Sequence, residues 1–419
     1  MSVRTASLLV MVGVVLLGVP WGAAAAAVPA DAFNAFPVAS EVRLGGDEAQ
    51  TRMVVDFDQK IDLRAFTLAN PYRVIIDLPQ VIFRFPPNTG ESGRGLIKAF
   101  RYGLMMTGGS RIVIDLTRPA RVDKSFMLDA ANDQPARLVI DLAAVDREAF
   151  MRTIALENRP PEPAAAKPQP KIDTSNALKN DARPVIVLDP GHGGIDNGTK
   201  AASGEMEKTI VLEFALLLRD KIEKAGKYRV VMTRSDDTFV ALADRVQFAR
   251  AQQAALFISI HADALPRGEG DAQGASVYTL SETASDSEAA RLAETENRAD
   301  VIAGVDLTHE PNDVADILID LAQRETKTFS VQFARGLIDS MRMVTRLHKN
   351  TLKAAGFRVL KAPDVPSVLV ELGYVSNRQD IKSLTSADWR DHTADSIAQA
   401  IDRFFTTKLA GARRANGQN

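Results

Sequence analysis

From residue 36 to 145, apolar and polar positions alternate with a period of two. The runs Glu41–Leu44, Arg52–Phe57, Arg73–Leu78, Ile97–Arg101, Arg111–Leu116, Val122–Leu128 and Arg137–Leu142 predict half-buried antiparallel strands. One phrase, Arg-x-Val/Ile-Val/Ile-Asp followed by an apolar residue, begins at Arg52, Arg73, Arg111 and Arg137. Its Arg and Asp are separated by an even offset, so they share one face of a strand. Two readings stand side by side: a ladder of surface ion pairs, worth little per pair, or a polar binding face.

From residue 184 the pattern changes. Short apolar strands at Val185–Leu188, Arg229–Thr233, Leu256–Ile260, Ser276–Leu280, Arg358–Leu360 and Val368–Leu372 alternate with helices at Glu207–Ala225, Val240–Ala251, Lys327–Leu347 and Ala394–Leu409. This alternation predicts an α/β domain over 184–409 with a mainly parallel sheet covered on both faces. An insertion over 282–326 interrupts it. There Ser285-Asp-Ser-Glu288 reads as a capping box opening an acid-rich helix that runs to Ala303. Val314, Ile317, Leu318 and Leu321 follow at helical spacing on a second, short helix. Residues 148–183 lie between the two patterns. Their Arg159-Pro-Pro-Glu-Pro and Lys167-Pro-Gln-Pro stretches predict an extended linker that lets the domains reorient. Residues 410–419 form a tail.

The first 27 residues read as a signal peptide: Arg4, the apolar stretch Leu8–Val19, and small residues Ala23–Ala27 for cleavage. The apolar stretch is shorter than the roughly 20 residues a membrane span needs, so cleavage and export are expected, with no integral membrane segment afterwards. A net charge of −2 offers no basic excess for nucleic acid. The absence of cysteine excludes disulfides, thiol catalysis and Cys-ligated zinc.

The chain has five histidines, and two of them stand at strand ends. His192 follows a buried strand inside Pro190-Gly-His-Gly-Gly194, and His261 ends the strand of Ser259-Ile-His-Ala-Asp263. Glu207 opens the helix after His192. Glu371 sits inside an apolar strand, where a buried carboxylate needs a partner or a metal. Each has a structural reading alone: turn residue, helix N-terminal charge, core histidine. Three of the four lie at strand termini on the carboxyl edge, where open sheets bind ligands. Two His and one Glu around an open position suit hydrolytic zinc, and a fourth carboxylate can serve as general base. The set points to a metal-dependent hydrolase. His309, His348 and His392 lie in polar contexts and read as surface or capping residues.

Several stretches carry a resemblance: Leu188-Asp-Pro-Gly-His-Gly-Gly194, Glu207-Lys208, Thr233-Arg234 with Asp237 and Arg245, Phe257-Ile-Ser-Ile-His-Ala-Asp263, Leu347-His-Lys-Asn350, Leu360-Lys-Ala-Pro363 and Val368-Leu-Val-Glu-Leu-Gly-Tyr-Val-Ser-Asn377. In their order and spacing, residues 184–409 resemble the zinc-dependent N-acetylmuramoyl-L-alanine amidases of the bacterial cell-division type. Residues 36–147 resemble the AMIN domain, a β-sandwich. Asn197 and Arg250 depart from the family, which often has Pro and Asn there. The resemblance implies His192, Glu207 and His261 as ligands of one Zn2+ and Glu371 as the catalytic carboxylate. It implies a periplasmic enzyme that frees stem peptides from peptidoglycan during septal wall splitting. It also implies autoinhibition by the 282–326 insertion, with Glu296 first and Glu294 second as the blocking carboxylate. An activator of the LytM-domain type would dock on the Val314–Leu321 stripe. A non-catalytic wall-binding scaffold and another zinc peptidase of the wall are the competing functions.

Overall fold

The computed structural model describes residues 36–157, 181–264, 272–305 and 317–416, and their side chains except at 155–157, 317–323 and 409–416. The expected signal peptide, most of the linker, His309 and Val314 lie outside the described residues.

The N-terminal domain is built from β1 (Val38–Gly46), β2 (Gln50–Phe57), β3 (Arg64–Leu68), β4 (Arg73–Pro79), β5 (Ile82–Phe83), β6 (Ile97–Met106), β7 (Gly109–Leu116), β8 (Ala120–Leu128) and β9 (Ala136–Ala144). They form two sheets, ordered β5-β1-β2-β9-β8 and β3-β4-β7-β6. One face of each sheet fills a shared core. Met53, Val55 and Phe57 with Leu138, Ile140 and Leu142 meet Val74, Ile76 and Leu78 with Ile112 and Ile114. Strand alternation then puts the repeated Arg and Asp on the outer faces. The copies pair two by two: Arg52 stands opposite Asp141 and Asp56 opposite Arg137 in one sheet. In the other, Arg73 stands opposite Asp115 and Asp77 opposite Arg111.

Where the linker was expected to begin, the chain forms α1 (Arg147–Glu157). Asp146 caps it by accepting from the Ala149 amide at 2.6 Å. Phe150 anchors it, fully buried and edge-on to Tyr72 at 5.0 Å. The proline-rich composition that follows hid this apolar anchor from the sequence reading.

The C-terminal domain contains β10 (Val185–Pro190), α2 (Glu207–Lys224), β11 (Arg229–Met232), α3 (Leu242–Ala251), β12 (Leu256–His261) and β13 (Ala275–Leu280). There follow α4 (Ser287–Glu296), α5 (Ala299–Ile302), α6 (Ile317–Met341), β14 (Leu347–Ala355), β15 (Ser367–Glu371), α7 (Arg378–Leu384) and α8 (Ala387–Asn416). The sheet order is β11-β10-β12-β15-β13-β14. All its pairs are parallel except β13 against β15. Alternate residues feed opposite layers. Ile186, Leu188, Ile258, Ile260, Val368 and Val370 pack under α2, α6 and α8. Val187, Phe257 and Leu369 pack under α3 and α4. The insertion helix α4 is therefore part of the second covering layer.

Three expectations change. Ile317–Met341 is one helix rather than a short helix followed by Lys327–Leu347, and Leu347 opens a strand. Arg358–Leu360 is a 3-10 turn instead of a strand. The acid-rich helix stops at Glu296, and a separate turn of helix covers 299–302. Asn297 explains the last two, because its side chain donates to Gly356 O at 2.9 Å and accepts from the Arg358 amide at 2.7 Å. That tie ends α4 and bends the chain at 358. None of the described helices is long and apolar enough to cross a membrane.

Candidate metal centre

β10, β12 and β15 run side by side and end on one edge. His261 and Glu371 are direct cross-strand neighbours, so both side chains leave the same face. His192 comes from the loop after β10, which the Gly191 amide ties to Ile260 O at 3.0 Å. His192 itself has a φ of 58°, a conformation that costs energy outside glycine. Arg245 helps hold it there by donating to His192 O at 2.8 Å. The glycines make room. A Cβ on Gly191 would lie 2.3 Å from the His261 ring, and one on Gly198 would lie 2.7 Å from both Glu207 Oε2 and His192. Beneath the loop, buried Asp189 accepts from Thr233, Ser259 and Arg245 at 2.6, 2.6 and 2.7 Å. Arg234 donates to the carbonyls of Pro190, Gly191 and Lys208. These contacts give physical roles to Thr233, Arg234 and Arg245, which the sequence reading had only matched.

At the edge, His192 Nε2 lies 3.2 Å from Glu207 Oε1, and His261 Nδ1 lies 3.4 Å from the same oxygen. Glu296 Oε2, from the end of α4, is 3.7 Å from His192 Nε2 and 3.1 Å from His261 Nδ1. A tetrahedral ion with bonds of about 2.0–2.1 Å separates its ligand atoms by roughly 3.3–3.4 Å. The four distances bracket that edge length. His192 Nε2, His261 Nδ1, Glu371 Oε1, Glu296 Oε1 and Asp263 Oδ2 are buried without hydrogen-bond partners. Three sets, His192–Glu207–His261, His192–Asp263–Glu296 and His261–Asp263–Glu371, each bring their donor atoms within 4.8 Å of one another.

The electrostatics agree. Burial alone would lower the proton affinity of His192, but the carboxylates of Glu207, Asp196 and Glu296 carry it well above the usual value. Burial, then the charge of Asp263, pushes Glu371 well above the carboxylate range. Burial, with Glu207 and Glu296, does the same to Asp263. Glu296 is raised to about 7 by burial and by Glu207 and Asp196, against the pull of His192. A sealed cluster of carboxylates that repel one another, with two unpaired imidazole nitrogens, is a site built for a cation. Mixed imidazole and carboxylate donors suit zinc.

The sequence reading gave no role to Asp196 or Asp263. Asp196 Oδ2 sits 2.9 Å from His192 Nδ1, orienting the ring so that Nε2 faces the cluster. Asp263 follows His261 by two residues, an even offset that could have shown it on the same face. Its amide donates to Glu371 Oε2 at 3.1 Å. Asp196→Asn is expected to weaken divalent-ion binding about 10–100-fold, which titration against a chelating dye would measure.

Glu294 is exposed, whereas Ala289, Leu292, Ala293 and Glu296 share the buried face of α4. Two residues along a helix is more than half a turn, so Glu294 cannot share that face. The expected capping box is also corrected. Asp286 is the cap, accepting from the Ala289 amide at 2.8 Å. Glu288 instead reaches Lys353 Nζ at 2.7 Å and the Tyr374 hydroxyl at 3.1 Å. His348, expected at the surface, is buried 3.6 Å from the same carboxylate. It stands on β14, whose first residue, Leu347, had been expected to end a helix. His392 is exposed, as expected.

The N-acetylmuramoyl-L-alanine amidase family profile matches residues 186–403, and the AMIN domain profile matches residues 41–142. The chain is 34% identical over 388 residues to the N-acetylmuramoyl-L-alanine amidase AmiC of Escherichia coli, covering 89% of this chain and 91% of that protein. It is 33% identical to AmiC of Neisseria meningitidis over the same shares. The amidase AmiA of Escherichia coli is 39% identical over 230 residues, 55% of this chain and 78% of that protein.

Proposed function

The chain belongs to the N-acetylmuramoyl-L-alanine amidase family and carries an AMIN domain ahead of its catalytic domain. From that premise we propose that it is a zinc-dependent, autoinhibited peptidoglycan amidase, exported to the periplasm and acting in septal wall splitting under an activator of the LytM-domain type. The observation that supports it most is the convergence of His192, Glu207 and His261, with the unpaired Glu371 Oε1 beside His261, at the carboxyl edge of the sheet. His192 Nε2 and His261 Nδ1 are likewise unpaired, and the Ala262 and Thr199 amides hold the Glu207 carboxylate in place. His192, Glu207 and His261 would hold the ion. When bound, zinc supplies a Lewis acid that polarises the scissile carbonyl and acidifies water. Glu371 Oε1, with no hydrogen-bond partner, takes the proton of the attacking water. The Asp263 amide fixes its other oxygen. The same oxygen then delivers the proton to the leaving amine of L-alanine, which frees the lactyl carboxyl of N-acetylmuramic acid. Burial and Asp263 raise the proton affinity of Glu371, the direction a base working near neutral pH needs. Glu296 fills the remaining corner of the donor set, so α4 excludes substrate while it stays in place.

The test is mass analysis of soluble products from purified sacculi, with and without a chelator and with zinc restored. Peptides that begin with L-alanine and carry no muramic acid are expected, lost on chelation and regained with zinc. Amino acids released without a free lactyl carboxyl would point to a peptidase. Binding without any release would point to a scaffold.

A further inference from the structure

We propose that the AMIN sheet β3-β4-β7-β6 is a second anchor of the inhibitory segment: three arginines on its outer face hold the carbonyl end of that segment, so the N-terminal domain itself keeps the metal centre covered. This rests on the reading that α4 is inhibitory.

The segment leaves α4 after Glu296 and makes the short helix α5. Carbonyls at a helix end lack intrahelical partners and carry partial negative charge. Here they meet guanidinium groups from the other domain. Arg73 Nη1 donates to Val301 O, and Arg101 Nε donates to Ile302 O. Arg111 Nη1 donates to Ala303 O at 3.1 Å and to Gly304 O at 2.9 Å. Four successive carbonyls are thus read by three side chains from three neighbouring strands. Hydrogen bonds from charged donors are the stronger kind.

Two of the arginines are also held by carboxylates of their own sheet. Asp115 takes Arg101 through both oxygens at 2.6 and 3.1 Å, and Asp77 takes Arg111 Nε at 2.6 Å. Asp77 and Asp115 are the acidic ends of the Arg-x-Val/Ile-Val/Ile-Asp repeat. Between the polar rows lies an apolar floor of Ile75 and Val113. Gly304, with φ of 69°, rests so close that a Cβ would meet Ile75 Cδ1 at 2.5 Å. The same floor reaches the metal loop. Ile75, Val113, Ile195, Phe239 and Ala303 form one buried cluster, and the Ile195 amide donates to Leu104 O at 3.3 Å. One sheet face therefore covers both the segment's end and the loop that carries His192.

The sister sheet shows what the face looks like uncovered. Arg43–Asp56 and Arg52–Asp141 repeat the pairs Arg101–Asp115 and Arg111–Asp77. The Arg52 side chain is 56% exposed, against 14% for Arg111.

The experiment uses the full chain with Arg73, Arg101 and Arg111 changed to Met, singly and together, and Arg52→Met as the sister-sheet control. Gly304→Ala is a second route, which lifts the segment without altering any AMIN residue. Basal peptide release from sacculi without activator is read beside hydrogen exchange at the amides of residues 289–305. The combined variant and Gly304→Ala are expected to raise both on the order of tenfold or more, and Arg52→Met neither. In a chain lacking residues 287–305 the arginine changes should add nothing to release. If that deletion raises release but the arginine and Gly304 variants leave release and exchange at the parent rate, the anchor is wrong and the inhibitory reading survives. If neither the deletion nor the arginine variants raise release, the inhibitory reading falls and the anchor proposal with it.

Discussion

Glu371→Gln should cut peptide release by a factor of about 100 to 10,000, with metal content unchanged. The substitution keeps the shape of the side chain and leaves an oxygen to accept from the Asp263 amide, as Glu371 Oε2 does now. It removes only the capacity of Oε1 to take a proton. Stability should not fall. Glu371 is fully buried and its charge is disfavoured by burial and by Asp263, so a neutral amide relieves repulsion instead of breaking a pair. An undiminished rate would move the role of base to Asp263, the adjacent carboxylate with an unpaired oxygen. A drop in rate together with lost metal would mean that Glu371 is a ligand. Single-turnover release and metal analysis on the same sample separate these outcomes.

His192, His261 and Glu371, the three residues placed at the sheet edge by sequence, were legible because strand period and chain order are local signals. A histidine ending one apolar strand and a glutamate ending its parallel neighbour must share an edge. The register of His261 with Glu371 is a consequence of that. The Arg and Asp repeat was legible as a shared face, but not as two faces with different fates. Which of the two meets α5 depends on how the domains dock, and no local pattern encodes that. The same limit hid Glu288 and His348. Ser285-Asp-Ser-Glu288 fits a capping box one residue out of register with the cap that forms at Asp286. The alternative partner that claims Glu288, Lys353, stands on a strand 65 positions later. Helix α1 was missed for the opposite reason. Its signal is a single phenylalanine, outweighed by the prolines downstream.

Glu296→Gln should raise basal release about tenfold or more in the absence of any partner. The change keeps the packing of Ala289, Leu292 and Ala293 on the domain, so it isolates what the carboxylate contributes. A charged group lost from a buried interaction costs about 1.5–3 kcal/mol, and each 1.4 kcal/mol is a tenfold change in an equilibrium. The open fraction rises by that factor only while it remains small. The gain should therefore level off at the rate of a chain lacking residues 287–305. The sign rests on the cluster around Glu296. Without a cation, burial first, and then Glu207 and Asp196, hold its proton affinity up at about 7 against the pull of His192. On the proposed inhibitory reading, the closed state depends on the charge that Glu296 places among the histidines. Chelation should loosen α4 in the parent chain, and it should do little in Glu296→Gln, where the carboxylate that needs the ion is gone. Hydrogen exchange across residues 289–297 reads this without relying on catalysis. Equal exchange in all four samples would show that apolar packing alone keeps α4 closed. The opening step would then require a partner that replaces that packing, rather than one that competes for the metal.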